Sequence, residues 1–333
     1  MKRLLLALLL APLPAAAMEL CDTYDGLPEG TGPKAGMVLV PGGTFTMGDD
    51  GERPEERSAH RVTVQPFWID RHEVTNAQFA AFVAATGYVT VAEKGLDPAK
   101  YPALPPELTA PGGMVFREPE RADLRGNVSQ WWVYVAGASW RHPAGPGSSI
   151  DGLDDHPVVQ VAHADALAYA EWLGRDLPTE AEWEFAARGG LEGATYSWGD
   201  SYDPLDGWLA NTWQGSFPIE DEALDGHHGT APVGCYPPNG WGLFDMAGNV
   251  WEYARDYYVP GHFAEPATDP TGPDARLSAR MSPTGLPRVT VKGGSWLCAP
   301  AFCLRYRPAA RQPQEPDLGS NHIGFRTALR GAE

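Results

Sequence analysis

Glycine and proline interrupt this chain so often that long, regular helices and strands have little room to form. The sequence contains 38 glycines and 32 prolines among 333 residues, so that about one residue in five favours a turn. It also contains 12 tryptophans, whose large side chains anchor packing between turns. The composition therefore predicts an irregular, loop-rich architecture that is held together by aromatic packing.

The length and charge of the chain limit its organisation and its partners. A chain of 333 residues forms one large domain or two ordinary ones, and 43% hydrophobic residues suffice for a sizeable core. We find no internal repeat and no linker-like break, which favours one domain. The net charge of −18 argues against nucleic-acid binding and favours a cationic partner, such as an arginine-bearing peptide. The same acidity would also serve merely to keep an exported protein in solution.

The first 17 residues have the pattern of a secretion signal. Lys2 and Arg3 form a charged start, an apolar stretch follows, and three alanines provide a small-residue cleavage site. We predict residues 1–17 as a signal peptide, 18–34 as a flexible lead-in and 35–333 as the folded domain. No other long apolar run occurs, so we expect an exported, periplasmic or secreted protein without stable membrane insertion.

Apolar alternation predicts strands near the start of the domain. Residues 37–48 indicate a strand, a turn and a second strand, and residues 62–74 indicate one further strand. Trp68 and Ile69 would then belong to the core. Residues 94–125 are rich in proline and lack periodicity, which predicts a long ordered loop of the kind that is often functional.

Helical periodicity and capping residues predict three helices. They cover residues 75–87, 164–173 and 178–188. The last of these has the strongest start signal, a capping box from Thr179 to Glu182. The rest of the chain predicts mostly turns and short strands.

Two cysteines five residues apart, Cys298 and Cys303, form the strongest candidate for a chemical centre. Glycines, aromatic residues and arginines surround them, which suits a buried turn beside a groove. One interpretation is a structural disulfide, as is common in exported proteins. The other is a bis-thiolate site for copper(I), a soft ion that prefers few, soft ligands. In that case Lys292, Arg305 and Arg307 would help to ionise the thiols.

The metal and the remaining cysteines leave two questions open. Zinc usually takes four ligands, and no further cysteine or histidine lies close in sequence to complete a set, so zinc is the weaker alternative to copper. Cys21 and Cys235 either pair with one another or stay free, and the residues themselves do not decide between these states.

A second constellation is rich in oxygen ligands on glycine-containing turns. Asn211 and Thr212 precede Asp225 and His227, and the segment Asp245–Glu252 follows. Carboxylate and amide oxygens spaced along such turns, with backbone carbonyls between them, suit calcium. Acidic turns are more often only solvated loops, so each segment alone is weak evidence.

Seven ordered motifs of this chain together resemble those of a known family, the formylglycine-generating enzymes or sulfatase-modifying factors. They are Asp70–Asn76, Trp140–Pro143, Leu177–Glu184, Ala210–Gly215, Pro237–Gly240, Gly248–Glu252 and Gly293–Cys298. The resemblance extends from Gly42 to Arg326. It implies a single mixed α+β domain with low regular secondary structure, built around a core like that of the C-type lectins.

This resemblance implies a copper-dependent oxidase that acts on a protein cysteine. Cys298 and Cys303 would bind copper(I), and the thiol of the substrate cysteine would join them. Molecular oxygen would react at the metal, a hydrogen would leave the substrate Cβ, and the thioaldehyde would hydrolyse to Cα-formylglycine. Ser295 would lie in this site, and Trp251 would border the oxygen pocket. The family substrate is a nascent or unfolded sulfatase with the motif Cys-x-Pro-x-Arg.

The resemblance also implies two calcium ions with separate ligand sets. The first set is Asn211, Thr212, Asp225 and His227, and the second is Asp245, Gly248, Val250 and Glu252. Thr212, His227, Gly248 and Val250 would contribute backbone carbonyl oxygens.

The chain departs from the family pattern at three points. Where vertebrate members place structural disulfide cysteines, it has Ala170, Ala187, Pro308 and Thr327, so it resembles a bacterial member. Ala299 stands where some members carry a histidine, so that histidine is not required here. The export signal is unusual for a bacterial member that meets sulfatases before they fold.

Two rival functions stay open. An exported relative would bind copper(I) but oxidise a different substrate during its maturation. A non-catalytic binding module would instead use a lectin-like surface and keep Cys298 and Cys303 as a structural disulfide. Retention of Ser295 together with both cysteines favours an enzyme, which we expect to act as a monomer.

Overall fold

Short strands and short helices alternate with turns throughout the chain. The structure, a computed structural model, describes residues 21, 23–202 and 207–331, so the predicted signal peptide lies outside the described residues. The helices are α1 (Asn76–Thr86), α2 (Val91–Lys94), α3 (His163–Trp172), α4 (Glu180–Arg188) and α5 (Ala275–Met281). The strands are β1 (Met37–Val40), β2 (Gly43–Met47), β3 (His60–Val64), β4 (Phe67–Asp70), β5 (Gly112–Phe116), β6 (Trp132–Ala136), β7 (Gly215–Ser216), β8 (Glu220–Asp221), β9 (Trp251–Tyr257), β10 (Ala267–Thr268), β11 (Val289–Lys292), β12 (Arg311–Gln314), β13 (Ile323–Gly324) and β14 (Ala328–Arg330). This mixture confirms the predicted α+β class with low regular secondary structure.

The strands form several small sheets rather than one large sheet. Two three-stranded sheets have the orders β1-β4-β14 and β10-β3-β2, and β5 pairs with β6 and β7 with β8. A four-stranded sheet has the order β12-β11-β9-β13. In it, β11 is antiparallel to both β9 and β12, whereas β13 runs parallel to β9. This sheet positions the candidate site, because β9 begins and β11 ends at predicted site residues.

The capping predictions for two helices are confirmed. The hydroxyl of Thr75 accepts the N–H of Gln78, and α1 is capped at its C-terminus by Gly87, whose φ of 68° is left-handed. The hydroxyl of Thr179 likewise accepts the N–H of Glu182, whose carboxylate accepts the N–H of Thr179 in return. The start and end signals in the sequence therefore fix both helices closely.

The single strand predicted over residues 62–74 is wrong, because the structure has two strands there, β3 and β4. Pro66 lies between them and has no N–H to donate to a partner strand, which interrupts the pairing. Ile69 is fully buried as predicted. Trp68 is only partly buried, since it points away from Ile69 and lies under the Lys34 ammonium, 4.6 Å from its ring centroid.

The long loop predicted over residues 94–125 is also only partly correct. Residues Gly112–Phe116 within it form β5, which pairs with β6 over five residues. Gly112 and Gly113 hide the alternation that would have indicated this strand. The structure also adds α5, where the side chain of Asp274 accepts the N–H of Leu277 at 2.7 Å.

Buried apolar side chains form three clusters among the described residues. The largest lies between α1, α3 and the four-stranded sheet, and it includes Cys298 and Cys303. A second lies between α4 and strands β2–β4. The third is mainly aromatic and lies beside the cysteines. No helix in the described ranges combines the length and apolar character needed to cross a bilayer.

A network of buried charges ties α4 to the four-stranded sheet. Lys292, at the end of β11, is fully buried, and its Nζ lies 3.0 Å from Glu184 Oε2 and 3.6 Å from Glu180 Oε1. Arg311 of β12 donates to both oxygens of Glu180 at 2.6 and 2.7 Å. Burial alone would raise the pKa of Glu180 and of Glu184, but the neighbouring cations lower each pKa to about 2. Both carboxylates therefore stay charged inside the protein.

Asp256 of β9 lies at the edge of this network, and it generates a pH-dependent prediction. Burial and then the charge of Glu180 raise its pKa to about 7. An acid with a raised folded-state pKa progressively destabilises the fold as the pH rises from its unfolded pKa toward its folded pKa, here from about 4 to about 7. We predict that Asp256→Asn raises the unfolding free energy, by up to about 4 kcal/mol at pH 8 and by less at pH 5. Thermal melts at both pH values measure this, and an equal effect at both would contradict it.

The N-terminal segment is fastened to the domain by covalent and non-covalent contacts. A disulfide joins Cys21 to Cys235, which the sequence had left as one of two states. The ring of Tyr24 contacts that of His72 at a centroid distance of 5.0 Å, and Glu29 lies 3.9 Å from Arg71. The disulfide thereby anchors the segment before β1 to a residue that lies far along the chain.

Removing this disulfide should lower stability markedly. It links residues 214 apart in sequence, and closing so long a loop restricts the unfolded chain by about 2–5 kcal/mol. We predict that the double variant Cys21→Ser/Cys235→Ser melts several degrees below the wild type in a thermal melt of the mature protein. Equal melting temperatures would show that the bridge does not constrain the unfolded state.

Candidate active site

A tight loop after β11 brings Cys298 and Cys303 together. Gly294 has a φ of 75°, and a Cβ there would lie 2.9 Å from the carbonyl oxygen of Arg305. The N–H of Cys298 donates to Ser295 O at 2.8 Å, and the N–H of Cys303 donates to Ala299 O at 2.9 Å. These turns place the two cysteine Cα atoms 4.7 Å apart. The sequence prediction that both sulfurs share one buried turn is consistent with this geometry.

The two sulfurs are bonded to one another as a disulfide and are largely shielded from solvent. Cys298 is 1% exposed and Cys303 is 8% exposed. Pro300 and Ala301, at the tip of the loop, are exposed. The sulfurs are therefore buried in a loop whose tip is exposed to solvent. Reduction by a dithiol would give two adjacent thiols, which is the donor set that a soft metal ion prefers.

Ser295 and Trp251, the other predicted catalytic residues, are buried around the same loop. Ser295 is fully buried, and its hydroxyl accepts the N–H of Leu297 at 3.3 Å. Trp251 is 2% exposed and belongs to the same apolar cluster as both cysteines. Its N–H donates to His322 O at 2.9 Å, which fixes the start of β9. The structure thus gathers all four predicted residues in one region.

The cations expected to ionise the thiols are instead paired with carboxylates. Besides Lys292, which is held by α4, Arg305 donates to Glu55 at 2.6 Å and Arg307 donates to Glu56 at 2.6 Å. Much of their charge is therefore neutralised by these partners. The expectation that these cations act on the thiols is not supported by this geometry.

A group of aromatic side chains beside the cysteine loop was missed in the sequence. The rings of Phe217 and Phe302 stack at a centroid distance of 4.4 Å, and Trp131 meets Phe302 edge-on at 5.8 Å. Trp131, Trp213 and Trp296 belong to one cluster, and the indole N–H of each is buried without a hydrogen-bond partner. Unpaired buried donors are costly, so this cluster indicates a place for an acceptor.

The first predicted calcium set is assembled by a glutamine side chain. Gln214 donates to Thr212 O at 2.7 Å and accepts the N–H of Asp225 at 2.8 Å, which joins the two segments. Asp225 also accepts the N–H of His227 at 3.1 Å and the hydroxyl of Tyr236 at 2.8 Å. The carboxylate of Asp225 and the carbonyl oxygen of Thr212 thus belong to one hydrogen-bonded unit, and oxygens of these two types suit calcium.

The second predicted calcium set is more strongly engaged with the protein. Glu252 is fully buried and receives both Nε and Nη2 of Arg326 at 2.6 and 2.7 Å, and also the indole N–H of Trp183 at 2.8 Å. Asp245 accepts the N–H of Gly234 at 2.6 Å, and burial raises its pKa to about 6. Gly248 has a φ of 80°, and its Cα lies against the backbone of Asn211 where any Cβ would clash.

Glu73 joins this second set, although the sequence analysis did not select it. The residue is fully buried, and both carboxylate oxygens lack a hydrogen-bond partner. Burial, followed by the charges of Asp245 and Glu252, raises its pKa well above the ordinary value. The guanidinium of Arg326 is bonded to the carboxylate of Glu252, so the unpartnered oxygens of Glu73 are left to fit an additional cation. Its place within the motif Asp70–Asn76 was the available signal.

Asn249 connects both predicted calcium loops to the cysteine loop. Its N–H donates to Asn211 O at 2.9 Å, and its side-chain oxygen accepts the N–H of Ala231 at 3.0 Å. Its carbonyl oxygen accepts the N–H of Trp296 at 2.9 Å. Asn249 thereby links both oxygen-rich loops to the turn that carries Cys298.

Side chains alone do not form a conventional metal cluster in the described ranges. No group of three or more histidine, cysteine or carboxylate side chains there is arranged to hold a metal ion. The predicted sets instead combine one or two carboxylates with amide and carbonyl oxygens. Their use as calcium sites stays a prediction.

Comparison with known proteins shows which protein family the chain is related to. The family model for the sulfatase-modifying factor enzyme 1-like domain matches residues 26–330. The formylglycine-generating enzyme of Mycobacterium tuberculosis is 53% identical over 87% of this chain and 96% of its own length. That of Streptomyces coelicolor is 46% identical over 96% and 95%, respectively. The solved structure of PvdO from Pseudomonas aeruginosa, 27% identical, has a TM-score of 0.59 over 88% of this chain and 93% of that one.

The mixed α+β fold and the relatives at 46–53% identity identify an enzyme of the formylglycine-generating class. With relatives this similar over nearly its whole length, the chain belongs to the sulfatase-modifying factor family.

The oxygen-rich loops generate a prediction about calcium. We predict that chelation by EGTA lowers the melting temperature, since calcium at one hundred times its Kd would stabilise the fold by about 2.7 kcal/mol. Glu73→Gln should weaken this response, whereas Glu171→Gln, at an exposed position of α3, should keep it. Thermal melts with EGTA, calcium or magnesium measure the effect, and identical curves in all three would exclude the sites.

Proposed function

We propose that this protein converts a cysteine in a sulfatase Cys-x-Pro-x-Arg motif to Cα-formylglycine, using copper(I) and molecular oxygen. The observation that carries the proposal is the loop that holds Cys298 and Cys303 together beneath an exposed tip. Family relatives named formylglycine-generating enzymes support it at 46–53% identity. Bound copper(I) would supply the redox chemistry with oxygen, with both cysteine sulfurs as its ligands.

The protein's own residues would provide the enclosure for this chemistry. Cys298 and Trp251 are almost fully buried, so water is kept from the inner side of the site. A substrate cysteine would enter over Pro300 and Ala301, where the loop meets solvent. Excluding water until a substrate covers the site limits wasteful oxidation of the enzyme itself.

The aromatic cluster supports binding of an extended peptide next to the cysteines. The partly exposed rings of Phe217 and Phe302, which stack on one another, would pack against side chains of the peptide. Phe302 belongs to the cysteine loop and contacts this cluster, so the two parts of the site are continuous. The net charge of −18 favours the substrate arginine electrostatically.

The stoichiometry of the proposed reaction requires a reductant. Oxidation of the substrate CH2–SH group to a thioaldehyde releases two electrons and two protons, and hydrolysis then gives the aldehyde and hydrogen sulfide. Reduction of oxygen to two water molecules takes four electrons, so a thiol reductant supplies the other two and becomes a disulfide. The same reductant would open the Cys298–Cys303 bridge.

Calcium, export and a monomeric state are further parts of the proposal. Two calcium ions would stiffen the loops that Asn249 joins to the cysteine turn. The signal peptide would deliver the enzyme to the periplasm or the medium, where it meets exported chains before they fold. The disulfide between Cys21 and Cys235 supports an oxidising compartment.

Activity on a synthetic peptide tests the proposal. We predict that the mature protein, reduced and loaded with copper(I), converts a Cys-x-Pro-x-Arg peptide to an aldehyde that a hydrazide captures, as measured by mass spectrometry. Cys298→Ser and Cys303→Ser should each reduce the rate by at least about a hundredfold, since one thiolate cannot hold the ion in place. The matched control is Cys21→Ser/Cys235→Ser, which removes two cysteines elsewhere and should stay active below its melting temperature.

The disulfide seen in the structure favours one competing function, a binding module with a structural Cys298–Cys303 bridge. That function predicts a bridge that resists mild dithiols, no copper binding and no oxygen consumption. An enzyme with a different substrate would instead bind copper(I) and consume oxygen but leave the sulfatase peptide unchanged. Either result would overturn the proposed substrate or the proposed reaction.

A further inference from the structure

A loop far from the cysteines in sequence lies directly against them in the fold. This loop, residues 48–58, connects β2 to β3 and contains a single 3-10 turn over Pro54–Glu56. Arg53 precedes the turn, and its Nη2 donates to the carbonyl oxygen of Cys303 at 2.8 Å. The contact joins residues 250 apart in sequence. We name residues 48–58 the clamp loop.

The clamp loop holds the cysteine loop at more than one point. Besides the bond from Arg53, Glu55 and Glu56 accept from Arg305 and Arg307 at 2.6 Å each. The Nε of Arg307 also donates to Leu304 O at 3.1 Å. Hydrogen bonds that involve charged groups are the stronger kind. The chain directly after Cys303 is therefore fixed by charged contacts.

The clamp loop is itself anchored to the buried charge network. The N–H of Gly48 donates to Glu184 at 2.8 Å, and the guanidinium of Arg311 donates to Glu55 O at 3.3 Å. At its other end, Asp50 accepts the N–H groups of Ser58 and Ala59 at 3.0 and 3.1 Å. The clamp loop thus links the cysteine loop to the buried charge network around α4.

The cysteine loop needs such support when its disulfide is open. The amides of Cys303 and Leu304 both donate to the single carbonyl oxygen of Ala299, at 2.9 and 3.1 Å. Leu304 has a φ of 46°, a left-handed conformation that is unfavourable for a leucine. Without the S–S bond, this turn would relax unless neighbouring groups held it. The hydrogen bond from Arg53 is made to the backbone of Cys303, which has to stay in place if the two sulfurs are to remain adjacent.

We propose that Arg53 is a positioning residue, which holds the backbone of Cys303 so that its sulfur stays beside that of Cys298 after reduction. Arg53 is singled out because it contacts Cys303 itself, whereas Arg305 and Arg307 bind carboxylates of the clamp loop. The role in metal binding rests on the proposed function. The clamp itself is a property of the fold and is measurable without any metal.

Hydrogen exchange of the reduced protein tests the clamp directly. In Arg53→Gln, amides of residues 298–304 should exchange about tenfold faster than in the wild type, because the turn loses its charged support. Arg53→Lys, which keeps a charged donor, should restore part of the protection. Arg57→Gln is the matched control, since Arg57 is an exposed arginine on the same loop and should leave exchange unchanged. Equal exchange in Arg53→Gln and wild type would overturn the proposal.

Copper(I) affinity provides the second readout, measured by competition with a chromogenic chelator. We expect Arg53→Gln to bind about tenfold more weakly and Arg57→Gln to bind like the wild type. Unchanged affinity in Arg53→Gln would refute the positioning role toward the metal. If the wild type binds no copper(I), the proposed function fails, while the exchange data still decide whether Arg53 clamps the loop. A thermal melt of each variant identifies general unfolding, which would appear as faster exchange throughout the chain and would count against a local clamp.

Discussion

The rest of the structure depends on one fully buried lysine and its carboxylate partners. Lys292 ends β11 and lies between Glu184 and Glu180 of α4, and Arg311 holds Glu180 from the neighbouring strand. Removing a partner from such a group leaves an uncompensated charge in the core, at a cost of about 3–5 kcal/mol. The pairing therefore fixes α4 against the sheet. It also fixes the point at which the cysteine loop begins, because Gly293 follows directly.

The clamp loop, the oxygen-rich loops and β9 are all arranged around the cysteine loop, which follows β11. The clamp loop reaches the turn through Arg53, and the oxygen-rich loops reach it through Asn249. β9 supplies Trp251 and Glu252 from the adjacent strand of the same sheet. A loop-rich chain acquires a rigid site in this way, since charged and polar bonds replace the regular secondary structure that the glycines and prolines prevent. The arrangement also explains why residues that are widely separated in sequence lie together at the candidate site.

The sequence predicted the parts that have local signals. The capping residues Thr75 and Thr179 located two helices, and the residues around Cys298 and Cys303 indicated the turn in which both are buried. Contacts between distant segments had no such signal. Nothing near Arg53 indicates that it faces Cys303, and nothing near Glu73 indicates that its carboxylate lies unpartnered beside Asp245. The split between β3 and β4 was missed because apolar alternation continues past Pro66, whereas hydrogen bonding does not. The pairing of Arg305 and Arg307 with carboxylates likewise depends on tertiary contacts, which the local sequence does not indicate.

We propose that the two cysteines of this loop form a copper(I) site. X-ray absorption at the copper edge tests it most directly, with the protein reduced and loaded with one equivalent of copper(I) without oxygen. We expect coordination by two sulfur atoms in the wild type and loss of that signal in Cys298→Ser/Cys303→Ser. Copper that is bound through nitrogen or oxygen, or an unchanged spectrum in the double variant, would exclude the cysteines as its ligands. Failure of the reduced wild type to retain copper would contradict the proposal as well.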